Sequence, residues 1–295
     1  MSDCRVRVAI ACGAAAWLLG LTALAQPAAA DIGKCVLYGP KGEFSITPAK
    51  PGQLTVETHL PASAWWNGDR ADEIEDGFEY CMAANIAHRL GLEKLEVVDV
   101  AWPALVADSS FWDAVVGGQQ LPFDLALAEI SITDARKQVV DFSVPYFASD
   151  IGVLVKAGTE VDGPSLKRLR IGVQAGTTGA GYVADVLQPE QPAQGFGDIV
   201  SMLTALQAGR IDAAMTDTAI LLASAAQSGG RFKVVGQYKT GEQYGAVYPK
   251  NSPNAATLDR VIQALIDDGT LGKLATVYLE TVWRIDPATV PYFQP

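Results

Sequence analysis

Arg136 follows two hydroxyl residues in the run Ile130-Ser131-Ile132-Thr133-Asp134-Ala135-Arg136. A planar guanidinium close in sequence to hydroxyls is a donor set suited to two-point contact with a carboxylate. Farther along, Gly176-Thr177-Thr178-Gly179 separates a strand-like run from a helix-like one. There its backbone amides and the hydroxyls of Thr177 and Thr178 would face an anion at a helix N-terminus. Asp217, just after the apolar run Ile211 to Met215, could receive an ammonium. An arginine, a helix terminus and one carboxylate describe a receptor for an α-amino acid zwitterion. Each residue also has an ordinary role: Arg136 as a surface charge, Gly-Thr-Thr as a turn, Asp217 as the cap of a helix starting at Ala219. Trp65 and Trp66, beside Asn67-Gly68 and after a strand end, would form an aromatic wall for a ligand or pack over the core edge.

The elements that must hold these residues alternate. Leu54 to Thr58 reads as a strand, Cys81 to Leu90 as a helix with Met82, Ile86 and Leu90 on one face, Leu95 to Val100 as a strand, 110 to 116 as a helix, and Phe123 to Ile130 as a short apolar strand. This order is that of a parallel sheet wound by crossover helices. Open α/β sheets bind ligands at the carboxyl ends of their strands, where Ser131 and Arg136 fall. A second series begins after Ser149 to Lys156: strand Arg170 to Ala175, helix Tyr182 to Leu187, helix Ile199 to Ala208, strand Ile211 to Met215, helix Ala219 to Gln227 and strand Phe232 to Gly236. The strand Tyr244 to Tyr248 and helices Asn254 to Asp268 and Leu271 to Leu279 complete the chain. Two α/β lobes are therefore expected: residues 31–148 with 247–295, and residues 149–246. They would be joined by hinge segments near 147–152 and 242–247 that let them close on a ligand.

Residues 1–30 stand apart. Arg5 and Arg7 precede an apolar run from Val8 to Leu24, and Ala28-Ala29-Ala30 supplies a small-residue cleavage site, as in a secretory signal peptide. Cleavage removes two bases and one acid, taking the formal charge from −11 to −12. So acidic a surface argues against nucleic acid or an anionic membrane as partner. Cys35 and Cys81 then remain in an oxidising compartment, where one disulfide is the simplest outcome and two free buried thiols the alternative. The only histidines, His59 and His88, show no metal-ligand spacing, and neither metal nor cofactor is expected.

The ordered set Gly77-Phe78-Glu79, Ile130 to Thr133 with Arg136, Asp141 to Tyr146, Gly172 to Thr178, Leu206 to Asp212 with Asp217, and Asp268 to Leu271 spans nearly the whole mature chain. It resembles the periplasmic solute-binding proteins of family 3, which serve ABC importers of polar amino acids. The resemblance implies the two-lobed type II periplasmic binding fold, a monomer working with a membrane permease, and no catalysis. It implies that Arg136 and Thr178, assisted by Ser131, hold a ligand α-carboxylate, that Asp217 holds the α-ammonium, and that Trp65 or Trp66 lines the side-chain pocket. One departure is Glu129, where the family commonly has glycine or serine. By strand alternation Glu129 shares a face with Ser131. There it would favour a cationic ligand group, crowd an ordinary amino acid, or pair with a structural base. Two other functions compete with ligand capture. One is a dehydratase-like enzyme with Glu129 as general acid; the other is an accessory sensing protein.

Overall fold

The computed structural model describes residues 32–105 and 122–294. The leader and the helix expected over 110–116 lie outside them. The strands, in chain order, are β1 (Gln53–Thr58), β2 (Lys94–Asp99), β3 (Leu125–Ala126), β4 (Asp141–Phe142), β5 (Phe147–Lys156), β6 (Ile171–Gln174), β7 (Gln194–Phe196), β8 (Ala213–Asp217), β9 (Phe232–Tyr244) and β10 (Val247–Tyr248). They form two five-stranded sheets, ordered β2-β1-β3-β10-β4 and β7-β6-β8-β5-β9. β1 runs parallel to β2 and β3, and β6 parallel to β7 and β8, as the strand-helix alternation predicts. The sheets are nonetheless mixed, because β10 pairs antiparallel with β3 and β4, and β5 pairs antiparallel with β8 and β9. The reversals arise where the chain passes between the sheets.

Local sequence accounts for the main elements. In β1 both Leu54 and Val56 and the intervening Thr55 and Glu57 are buried, as befits a strand covered on both faces. The helix Phe78–Arg89 starts three residues before the expected Cys81. It starts there because Gly77, at φ 126°, can bring its backbone against Trp65, whose carbonyl oxygen would lie 2.3 Å from any Cβ. In the helix Ala255–Asp267 the residues Leu258, Val261, Ile262 and Leu265 are all fully buried, each contributing about 1.5–3 kcal/mol. The disulfide Cys35–Cys81 is present and ties the N-terminal arm to the first helix. The arm is further held by Tyr38 N donating to Asn85 Oδ1 at 2.7 Å. Buried Arg89 pairs with Glu43 and Asp268.

The passages between the lobes differ most from the sequence expectation. β9 does not stop at Gly236 but runs on to Tyr244, pairing with β5 from Lys156↔Phe232 to Phe147↔Tyr244. The turn-like Lys239-Thr240-Gly241 is kept in the ladder by Asp150 Oδ1, which accepts from the amides of Thr240 and Gly241 at 2.8 and 3.0 Å. The two expected hinge passages are thus one continuous antiparallel pair. The C-terminal tail, expected with the first lobe, packs on the second sheet instead. Tyr292 bridges Gln237, and Phe293 lies where any Cβ on Gly236 would be, 2.3 Å away.

Candidate functional site

Beyond β3 the chain leaves the ladder and turns sharply at Glu129, whose φ is 48°. Strand alternation therefore does not set its direction, although Glu129 and Ser131 both line the same cleft. The turn is held from below by Glu79. This carboxyl is fully buried and accepts from Glu129 N at 2.9 Å, from Trp66 Nε1 at 2.8 Å and from the Tyr146 hydroxyl. Burial pushes its pKa up to about 7. Trp66 is consequently a core residue bonded to Glu79 and does not line the cleft, in contrast to the expectation for the tryptophan pair. Trp65 does line it, packed edge-on to Phe78 and Phe147.

Thr133 serves locally as the N-cap of the helical turn Asp134–Lys137, its hydroxyl accepting from Arg136 N at 3.2 Å. That turn places the Arg136 side chain in the cleft, largely buried. Its Nη1 donates to Ser131 O at 2.8 Å and its Nη2 to Gly176 O at 3.2 Å, the latter across the two lobes. The guanidinium carbon lies 5.4 Å from the Trp102 ring centre. Thr177 caps the helix Thr178–Tyr182, with its hydroxyl accepting from Ala180 N and donating to Gln174 O. The Thr178 hydroxyl points instead to Glu242 Oε2, at 2.9 Å, where it meets the Ser131 hydroxyl at 2.8 Å.

Asp217 ends β8 and precedes the helix Thr218–Gln227, but its side chain does not cap it. The carboxylate is buried and accepts from the Tyr244 hydroxyl at 2.5 Å and from Thr216 Oγ1 at 3.3 Å. Burial, with the Glu242 charge nearby, pushes its pKa up to about 7. Glu129 is raised well above the carboxylate range by burial and by the charges of Glu79 and Asp217. Its Oε1 is buried without a hydrogen-bond partner. No described base forms an ion pair with it, so the structural-base role is not seen among the described residues. Burial lowers the Arg136 pKa, opposed by Asp217 and Glu242.

Of the residues singled out in the sequence, Trp65, Glu129, Ser131, Arg136, Thr177, Thr178 and Asp217 converge on one cavity of about 390 Å³. Sequence reasoning missed Glu79, Trp102, Glu242 and Tyr244. Glu242 and Tyr244 could have been found by the period of two along β9, which sends both side chains to one face. Among the described residues no group of three metal-ligating side chains is assembled.

The chain matches the model of the bacterial extracellular solute-binding proteins, family 3, over residues 66–281. It belongs to that family. A probable histidine-binding protein of Neisseria gonorrhoeae is 26% identical to this solute-binding protein over 81% of its chain and 88% of the relative. An ancestral arginine-binding protein bound to arginine superposes with a TM-score of 0.66 at 29% identity, covering 77% of this chain and 98% of the other. An ancestral amino acid-binding protein, described as a precursor of cyclohexadienyl dehydratase, gives a TM-score of 0.64 at 25% identity, covering 77% and 95%. The two sheets of this solute-binding protein are those of the two-lobed type II binding fold, with the carboxylate-rich cleft between its lobes.

Proposed function

We propose that this solute-binding protein captures a cationic solute, an amino acid or related amine, by closing its two lobes on it, and presents it to the permease of an ABC importer. The observation that carries this reading is Glu129. Its buried Oε1 lacks a partner and faces the carboxyls of Glu79 and Asp217, with Arg136 as the counter-charge lining the cleft. A cation entering beside Glu129 and Asp217 relieves that repulsion. The relatives support the solute class, since their names record binding of histidine and arginine. Family membership supports placement outside the cytoplasm, and removal of residues 1–30 would leave the protein in the periplasm. The cleft is complete within one chain, which suits a monomer. The lobe boundaries fall in the β5 and β9 passages, with the tail added to the second lobe. Calorimetric titration with the twenty amino acids and their decarboxylated amines tests the reading: a one-to-one complex with at least one cationic member is expected. No binding by any of them at millimolar concentration would overturn it.

A second reading has one specific observation in its favour. Glu129 is a cleft carboxyl held protonated near neutral pH, as a general acid must be, and one similar structure is described as a dehydratase precursor. Turnover of prephenate or arogenate by the purified protein would establish it; absence of turnover removes it.

A further inference from the structure

A cleft built to grip the α-carboxylate of an amino acid must leave strong donors free to meet it. The hydroxyls positioned for this role, Ser131 from the first lobe and Thr178 from the second, both donate to the same internal oxygen, Glu242 Oε2, at 2.8 and 2.9 Å. The Thr177 hydroxyl is occupied as a helix cap. Arg136 directs Nη1 and Nη2 to the backbone carbonyls of Ser131 and Gly176, and its charge is balanced by Glu242 and Asp217 nearby.

Glu242 is fixed in this position by the β-ladder. It pairs with Ser149 of β5, two residues from Tyr244, whose backbone bridges Ser131 and whose hydroxyl bonds Asp217. A ligand carboxylate reaching for Ser131 and Thr178 would have to share two hydroxyl protons with a carboxylate already there, and like charges at such separation repel strongly. The cleft's acceptors, in contrast, are in surplus. Glu129 Oε1 has no partner, and Asp217 is bonded only by neutral hydroxyls. Among the described residues lining the cavity, the buried side-chain donors without partners are the indole N–H groups of Trp65 and Trp102. Neutral N–H groups suit a hydroxyl or carbonyl rather than a full anion.

We propose, resting on the capture of a cationic solute, that the ligand is a carboxylate-free cation, an amine or guanidine, and that Glu242 occupies the place an amino acid's α-carboxylate would take. The positive group enters between Glu129 and Asp217. The remainder of the ligand extends past Trp65 toward the apolar wall of Ile199, Leu203 and Ile220, which lines the same cavity.

Matched pairs that differ only in the α-carboxylate test this directly: agmatine against arginine, cadaverine against lysine, histamine against histidine, each titrated calorimetrically into the full-length mature protein at pH 7.5. The expected result is that the decarboxylated member of the binding pair is at least tenfold tighter. In the Glu242→Ala protein, which frees both hydroxyls and removes the competing charge, that ratio should shift by tenfold or more toward the amino acid. If the amino acid binds as tightly as the amine or tighter in every pair that binds, the proposal is overturned while capture of a cationic solute stands. If no member of any pair binds at millimolar concentration, both are overturned. The wild-type ratio decides the question even if the Glu242 variant does not fold.

Discussion

Replacing Asp217 by asparagine should make the empty protein more stable and the liganded one weaker. The change keeps the shape and leaves an oxygen to accept from the Tyr244 hydroxyl, which now bonds Asp217 at 2.5 Å, while removing the charge. Asp217 is 4% exposed, and its pKa rises from 3.8 to about 7. A carboxyl whose folded-state pKa is raised favours the fold in its protonated form. That contribution is full below pH 3.8 and is lost as the pH climbs to about 7. A shift of that size corresponds to at most about 4 kcal/mol. Asparagine mimics the protonated acid, so at pH 4 the variant and the parent should melt together. At pH 8 the variant should gain up to about 4 kcal/mol, or roughly 8–16 °C in Tm. Binding should move the other way. Losing a charged acceptor for the cation costs about 1.5–3 kcal/mol, a loss of roughly 10- to 150-fold in affinity at pH 8. Differential scanning calorimetry of the ligand-free proteins at both pH values, with titrations at pH 8, gives both numbers. A gain of equal size at pH 4 and pH 8, or a loss of stability at pH 8, would refute the assignment of a buried charge at Asp217.

Three further substitutions probe the architecture. Arg136→Ala removes the guanidinium bond to Gly176 O that joins the lobes and should weaken binding by about tenfold or more, because a hydrogen bond from a charged group is worth about 1.5–3 kcal/mol; unchanged affinity in a titration would show that this bridge does not support closure. Glu79→Ala strips the acceptor from Trp66 Nε1, Glu129 N and the Tyr146 hydroxyl. It should cost about 3–5 kcal/mol in a denaturant melt, as expected when a buried polar partner is deleted. Cys35→Ser opens a loop of 46 residues and should cost roughly 2–4 kcal/mol with ligand affinity within about twofold, since neither cysteine lines the cleft.

Most helices and strands were legible because their patterns are local. The apolar face Leu258, Val261, Ile262 and Leu265 names its helix outright, and the Gly176-Thr177-Thr178 turn sits between a strand and a helix as read. Arg136, Ser131, Thr178 and Asp217 were found by type and by position at strand ends. What escaped depends on contacts distant in sequence. Trp66 and Trp65 are indistinguishable as neighbours, and only the buried Glu79 carboxyl decides that Trp66 turns into the core. The extension of β9 through Thr240-Gly241 relies on Asp150, 90 residues away. Glu242 became part of the site because that extension brings it between hydroxyls contributed by both lobes. The tail's attachment to the second sheet likewise rests on Gly236 leaving room for Phe293, a complementarity that no periodicity announces.

The central claim is that the cleft selects a positively charged, amine-bearing solute. Native mass spectrometry of the mature protein, mixed with amino acids, their amines, sugars and dicarboxylic acids at equal concentration, reads that selection in one spectrum. The account predicts a one-to-one adduct whose mass is that of an amine-bearing cation, diminished in the Asp217→Asn protein. An adduct formed only with a sugar or a dicarboxylate, or none at all, would contradict it.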